Sequence, residues 1–600
     1  MANLNPQNQK LDVQGRSMII NLLCIVLNLV GVYFIVAGFH ISSGDSAGMF
    51  KIIGFSLVIL SLFGMILLKG LFLFSYVARA LVGGLFIVSG LIKANDPYGF
   101  AFKLEEYFAP DGLSFDYPFF EQFAEYALPL SILICVVEIV LGVAVIVGGK
   151  IKLASWSLVI MMSFFTWLTW YTTSCNETQI ATMEAQAKGI EVEEFMRQCV
   201  TDCGCFGDAL KGSVGRSLTP VESFWKDLVL FYFVLIIFIN QWKIQLNQVK
   251  ENWIMVPASI VVVIFFSWVF GWMFPTFFAI FAILGAFVVG NLNIGSIAKP
   301  WKMAIFVTLL SFIFSLYTSM YLPIKDYRPY AIGNNIKDQM AMGTPRVSEF
   351  VFLYEELATG KVIEFPASDW EIYGDTAKYK YVDRIEKIIT EGIDAPIKDF
   401  LAGINYEFLS EEEKLIPFID STIQANYDNY FEEKMVLKSE WGNDTIAAIE
   451  FDTLYYPDSV YTKVNSYTAL VDPNNPFWLD LTGYVLNEPT IFVMTMRDIE
   501  AVGKDQLADI KSVYEKAKEQ NIPFVVLSPA TAEQIAKFKL DNDFAPMFLS
   551  FDGTEVKIII RSNPGLVLLQ DGTVINKWPW RSVPNFEDIF DDHIKSTLQQ

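Results

Sequence analysis

Apolar residues fall into two patterns: long unbroken runs in the first half of the chain, and short alternating ones in the second. A helix needs ~20 mostly apolar residues to cross the hydrocarbon core of a bilayer. Nine runs approach that length: 17–39, 52–68, 70–92, 127–148, 153–172, 224–242, 254–273, 275–294 and 303–322. They predict a polytopic α-helical membrane region over 1–322. The second and third runs almost abut, and Met273-Phe274-Pro275 marks another tight turn. Trp225, Trp242, Trp253 and Trp301 sit at run ends, where amphipathic rings favour the interface. The first run is too long for the apolar core of a secretory signal and continues as a span.

Beyond residue 323 the period shortens. Val347 to Tyr354 alternates toward a strand, Thr359-Gly360 turns, and Lys361 to Phe365 returns. The stretch 405–487 mixes helical and extended signals, so 323–487 reads as an α+β region without an assigned fold. From 488 to 600 strands and helices alternate. Thr490 to Met494 and Pro523 to Leu527 are strands; Lys504 to Gln520, Thr531 to Leu540 and Phe586 to Leu598 are helices. Leu566 to Gln570 and Thr573 to Trp578 form a hairpin about Asp571-Gly572.

Charge sharpens this boundary. Of 44 Lys+Arg and 66 Asp+Glu, residues 1–322 hold 18 and 20, leaving 26 and 46 for 323–600. The net charge of −22 is therefore −2 in the first part and −20 in the second. Such an acidic surface excludes nucleic acid as a partner, because phosphate binding needs Lys/Arg-rich faces. His40 and His593 are the only histidines and lie too far apart to indicate His-based chemistry. Cytoplasmic loops are enriched in Lys and Arg. With the N-terminus inside, Lys10, Arg16, Lys69, Lys150, Lys152, Lys243, Lys250, Lys299 and Lys302 all face the cytoplasm, while the loops 40–51, 93–126 and 173–223 lie outside. Nine crossings then place 323–600 outside the cytoplasm.

Two charges interrupt the runs, Arg79 and Glu138. Each costs ~3 kcal/mol in hydrocarbon on insertion scales, so they are expected to pair across helices or to face a polar cavity. Pairing is the structural reading, and a proton or small-solute pathway the functional one. Gly83, Gly84, Gly90 and Gly142 would let the helices approach closely. Arg79, Gly83-Gly84, Ser89-Gly90-Leu91-Ile92-Lys93, Asn95-Asp96-Pro97 and Val137-Glu138-Ile139-Val140-Leu141-Gly142 together resemble the DoxX family of four-helix membrane proteins.

Four of the six cysteines, Cys175, Cys199, Cys203 and Cys205, share the external loop 173–223; Cys24 and Cys135 lie in spans and read as small hydrophobes. The loop cysteines read as disulfide staples, as a thiol–disulfide relay, or as a four-thiolate zinc site lacking the usual Cys-x2-Cys spacing. In the relay, Cys203 and Cys205 are the redox pair, with Cys175 and Cys199 as a second pair or a staple. Cys203-Gly204-Cys205-Phe206-Gly207 resembles the Cys-x-Cys-Phe-Gly motif of MauE, a relative of DoxX tied to disulfide handling. With DoxX it marks residues ~70–240 as a DoxX/MauE-like core. The resemblance implies a quinone- or thiol-linked redox role in a bacterial inner membrane. No cofactor is evident from the residues themselves; a quinone is the one the resemblance admits.

The 488–600 pattern suggests a thioredoxin-like α/β layer, with Pro564 where such proteins carry a cis-proline. Ala395 to Phe400 resembles the first strand of peroxiredoxin-like relatives, which would start the layer near 393 and make 405–487 an insertion. No cysteine follows Cys205, and Thr495 to Glu500 occupies the place of the redox motif. Without a thiol there is no thiolate chemistry. The expected function is thus an inner-membrane accessory or scaffold protein whose periplasmic layer docks envelope partners. The sharper alternative is a membrane thiol–disulfide redox protein using Cys203-Gly204-Cys205.

Overall fold

The computed structural model describes residues 6–40, 45–67, 70–187, 197–200, 204, 206, 209–293, 295–344, 347–366, 368, 374–390, 392, 395–398, 400–405, 431–439, 442–447, 462–470 and 478–595. The chain divides into two compact units, Met1–Tyr327 and Arg328–Gln600.

The first unit is helical. Its elements are α1 (Pro6–His40), α2 (Asp45–Leu67), α3 (Leu71–Asn95), α4 (Pro97–Phe108), α5 (Leu113–Asp116), a 3-10 segment (Pro118–Tyr126), α6 (Ala127–Val147), α7 (Ile151–Ala187), α8 (Ala209–Val214), α9 (Pro220–Asn240), α10 (Val249–Val269), α11 (Phe274–Asn291) and α12 (Lys299–Met320). Among the described residues eight stretches are long and apolar enough to cross a membrane: Met18–Gly38, Met49–Leu67, Leu71–Asn95, Pro118–Val147, Ile151–Thr182, Val249–Val269, Phe274–Asn291 and Lys299–Met320. The chain is a multi-pass membrane protein in contact with lipid. The ninth expected span, 224–242, falls on α9 and is not among the eight. Glu222, Lys226 and Asp227 interrupt its first two turns. Yet α9 runs antiparallel to α7. Ser155 Oγ donates to Gln241 Oε1 at 3.2 Å, and Thr169 Oγ1 lies 3.3 Å from Asp227 Oδ2. These contacts are fourteen residues apart on each helix, or about 21 Å of helix.

Glycines set the closest helix approach. A Cβ on Gly142 of α6 would meet the Gly83 carbonyl oxygen of α3 at 2.8 Å, and one on Gly90 would meet Ile139 Cγ1 at 2.7 Å. The Asn95-Asp96-Pro97 motif turns the chain from α3 into α4. Asn95 clasps the segment after α12, donating to the Lys325 carbonyl at 2.7 Å and accepting from its N–H at 3.1 Å. Asp96 caps α4 by accepting from Gly99 N–H at 3.0 Å, with Pro97 in the first turn.

The second unit is an α/β region built on a mixed sheet. Its strands are β1 (Val347–Glu356), β2 (Lys361–Pro366), β3 (Tyr379–Thr390), β4 (Gly403–Asn405), β5 (Phe431–Ser439), β6 (Gly442–Ala447), β7 (Thr462–Leu470), β8 (Trp478–Asp480), β9 (Ile491–Thr495), β10 (Phe524–Ser528), β11 (Met547–Ser550), β12 (Gly565–Gln570) and β13 (Thr573–Pro579). The main sheet has the order β13-β12-β9-β10-β11-β4-β8; β2-β1-β3 and β6-β5-β7 form two smaller sheets. β9, β10 and β11 are parallel, and β12 and β13 antiparallel to their neighbours. Burial explains the sequence signal. β9 and β10 are buried at every position, as continuous apolar runs require, and helix Lys504–Glu519 covers them with Leu507, Ile510 and Val513.

The hairpin of β12 and β13 turns on Asp571 and Gly572, both at positive φ, as the Asp-Gly pair predicts. The Asn563–Pro564 peptide is cis. One expectation needs correction. Residues 396–398 form bends, and the sheet is joined instead by β4, whose Asn405 pairs with Trp478 of β8. Pro396 withholds the N–H a ladder needs. The closing helix expected from Phe586 runs to Ile594, its second half a wider π turn, and 596–598 lie outside the described residues.

Candidate functional site

Arg79 and Glu138 do not pair. Arg79, 1% exposed, sits in the third turn of α3 against the C-terminus of α6. Its Nε donates to the Val145 carbonyl at 2.9 Å, and its Nη2 to the Ile146 carbonyl at 3.0 Å and Asn247 Oδ1 at 2.6 Å. The last carbonyls of a helix have no partner within it, and they carry the negative end of its dipole. Arg79 supplies both donors and charge there, beside the left-handed cap at Gly148.

Glu138 lies two turns back along α6 and takes a different cation. Lys93, fourteen residues beyond Arg79 on α3, places its Nζ 2.5 Å from Glu138 Oε1. Both side chains are 4% exposed. Fourteen residues are about 21 Å of helix, so one side chain cannot serve both ends. Glu138 Oε2 is buried without a hydrogen-bond partner among the described residues.

That oxygen belongs to a residue lining a cavity of about 280 Å3. Lys93 and Ser89 come from α3, Glu138 from α6, Thr169 from α7, and Lys226 and Asp227 from α9. The remaining wall is aromatic and aliphatic, with Phe100, Tyr107, Phe120 and Phe165 prominent. The Lys93 ammonium stands 5.3 Å from the Phe100 ring centre and 5.5 Å from that of Phe165. A second ion pair faces the same space. Lys226 Nζ is 3.0 Å from Asp227 Oδ1 and 4.9 Å from the Phe206 ring centre. Cations over ring faces in a dry site gain up to ~2 kcal/mol, which offsets part of the cost of burying the ammonium groups. The chamber thus offers ammonium donors, a carboxylate with a spare oxygen, and flat apolar walls. Such a donor set fits a ring carrying acceptor oxygens, a quinone head included.

Described parts of the cysteine loop lie at this end. Cys175, in the part of α7 beyond the cavity, is disulfide-bonded to Cys199. The 197–200 segment is also fastened by Asn176 Nδ2 donating to the Val200 carbonyl at 2.8 Å and by Arg197 Nη1 to Asp116 Oδ2 at 2.7 Å. Cys203 and Cys205 lie outside the described residues. Gly204 between them is described, at φ +62° against the Lys103 stem, and Phe206 is a wall of the cavity. Among the described residues no group of three or more His, Cys, Asp or Glu is placed to hold a metal.

Sequence reasoning found Glu138 and Arg79, because isolated charges in apolar runs stand out. It missed Lys93 as the partner, having quoted it only within a motif at a span's end. Lys226 and Asp227 were missed because they open a run rather than interrupt one. Pro564 lies at the start of β12, with Asn563 Oδ1 accepting from the Arg497 and Asp498 N–H groups at 2.8 and 3.2 Å.

A family model described as methylamine utilisation protein MauE matches residues 71–178. The match runs from α3 to just past Cys175 and stops before Cys199, Cys203 and Cys205. No curated protein matches the chain. No solved structure matches it either.

Proposed function

We propose that the chain is an inner-membrane accessory protein of disulfide chemistry, which passes reducing equivalents from outer thiols to an amphiphile held in the Lys93–Glu138 cavity. The observation that carries this reading is Glu138 Oε2: a carboxylate oxygen left without a partner among the described residues, on an aromatic and aliphatic cavity that Phe206 also lines. A purely structural ion pair has no use for it, since unmet buried acceptors cost ~1–3 kcal/mol.

Roles follow from position. Lys93 and Lys226 donate to acceptor oxygens of the ligand. Glu138 and Asp227 hold those ammonium groups in place, and the spare Glu138 oxygen is an acceptor for a ligand hydroxyl. Phe100, Phe165 and Phe206 flank a flat ring and exclude water. When bound, a quinone would supply a two-electron, two-proton acceptor, matching what two thiols release on forming one disulfide. Cys203 and Cys205 are the exchanging pair in this reading, with Cys175–Cys199 as the staple that holds their segment.

The outer unit is read as a thioredoxin-like docking layer, supported by the order β13-β12-β9-β10 and the helix between β9 and β10. Arg497 and Asp498 stand in place of thiols, so it would receive a partner rather than oxidise one. Its periplasmic placement needs an odd number of crossings. The antiparallel run of α9 along α7 supports α9 as the ninth, and its apolar side chains Phe233, Val234 and Ile237 are buried with α3 and α7.

The test uses the full-length protein in nanodiscs, with a reduced dithiol as donor and a short-tailed quinone as acceptor, read by quinol absorbance. Turnover lost in Cys203→Ser and in Lys93→Met/Glu138→Gln is the expected result. Turnover untouched by either would sink the proposal.

A further inference from the structure

The cavity shares a wall with a second space. Leu85 of α3 and Lys226 and Leu230 of α9 line it, and the same three residues line an open hollow of about 390 Å3. The hollow lies between α1, α3, α9 and α10, where Val36, Leu81, Val229, Phe233 and Phe266 make it apolar. Among the described residues its charged lining is Glu222 and Lys226, both toward the start of α9.

The geometry points to a lateral port: the ligand is an amphiphile with one ring-sized polar head and a long apolar tail, drawn from the bilayer between α9 and α10 with the tail left in the hollow. This rests on the cavity reading above and adds the class of ligand and its route. Size is the first support. At about 280 Å3 the cavity falls just under the roughly 300–1,000 Å3 of pockets that take a drug-sized molecule. It holds a ring but not a chain. Chemistry is the second. Lys93, Glu138, Thr169 and Asp227 line the cavity alone, while the hollow's polar groups, Glu222, Trp225 and Lys226, all stand in the first two turns of α9 and leave the rest of it aliphatic and aromatic.

The shared wall is the third support. Leu85 and Leu230 are single aliphatic side chains whose rotation would open the wall, and Lys226 carries its charge on a long stem. Its side chain is 22% exposed, against 4% for Asp227 beside it. Lys226 can therefore keep its ammonium over the head while its methylenes line the tail's path. Aqueous solutes have no such reason to meet an apolar vestibule. A lipid-borne ligand does, because its tail never leaves hydrocarbon.

The experiment measures binding to the full-length protein of three quinones that share one head: tail-less, with a two-isoprene tail, and with a decyl tail. Dissociation constants are expressed per mole fraction in the lipid phase, so that partitioning cancels. Affinity is expected to rise with the tail by about tenfold, and Val229→Trp, which fills the hollow, should remove that gain while leaving the tail-less compound unchanged. If Val229→Trp does not fold, Leu81→Phe takes its place. On the unaltered protein, a decyl quinone with a photoreactive group at the tail end should label α9 and α10. Equal affinity with and without a tail, or label confined to residues outside the hollow, overturns the port and leaves the cavity reading intact. Failure of every compound to bind overturns both.

Discussion

At the Gly148 end of helices α3 and α6, a buried guanidinium meets two carbonyls and an amide oxygen, all neutral acceptors, with the Tyr76 ring 5.5 Å away. At the cysteine-loop end of the same two helices, a buried ammonium meets one oxygen of a carboxylate whose other oxygen is unanswered. Both charges pay a desolvation cost. Arg79 recovers it by finishing a helix. Lys93 and Glu138 recover less, and what they leave exposed faces a cavity. The difference separates a charge that builds the bundle from a pair that is available for chemistry.

Four measurements break or sharpen that comparison. Arg79→Met strands the Val145 carbonyl and Asn247 Oδ1, while the Ile146 carbonyl keeps the Asn247 Nδ2 donor at 2.9 Å. At roughly 1–3 kcal/mol per buried unmet acceptor the loss should be about 2–6 kcal/mol, read as a fall of the unfolding midpoint in mild detergent. Arg79→Lys should rescue little, because an ammonium lacks the fork that reaches several acceptors at once. Next, Cys175→Ser with Cys199→Ser opens a ring of about 25 residues and should cost about 3 kcal/mol. That loss should fall on protease resistance of the 197–200 segment before it touches the membrane helices.

Gly142→Ala should cost about 1–3 kcal/mol by overpacking against the α3 backbone, measured as a fall in the same midpoint. The smallest stability change is expected from Lys93→Met/Glu138→Gln, within about 1 kcal/mol of the parent, since buried ion pairs are often replaced at no loss by groups of similar volume. Glu138→Gln alone should cost more than the double change, because it leaves the ammonium without its carboxylate. A double variant as damaging as Arg79→Met would erase the distinction between the two ends.

Much of this was legible in the chain. Span positions, the Lys bias of one set of loops and the odd charges at 79 and 138 follow from the price of polar groups in hydrocarbon. The Asp571-Gly572 hairpin and the buried strands β9 and β10 follow from turn chemistry and continuous apolar runs. The site was only half visible. Glu138 could be singled out, but Lys93, Thr169, Asp227 and Phe206 lie on separate segments, and nothing in a linear pattern states that four helices turn these faces inward. β3 and β11 were missed for a related reason. Their pairing energy comes from neighbours distant in sequence, and neither has a strong period of its own. The strand expected at Ala395 to Phe400 lost to Pro396, and β4 formed a few residues on.

The polar start of α9 bears on how the molecule is made. A segment that carries Lys226 and Asp227 near one end is a poor candidate to leave the insertion channel alone. It becomes acceptable once Thr169 and Ser155 of α7 are beside it. Biogenesis would then proceed by hairpins rather than by single helices, with α7 retained near the channel until α9 arrives. The loop between them, and its disulfide, would be delivered to the far side before the second leg is released into lipid.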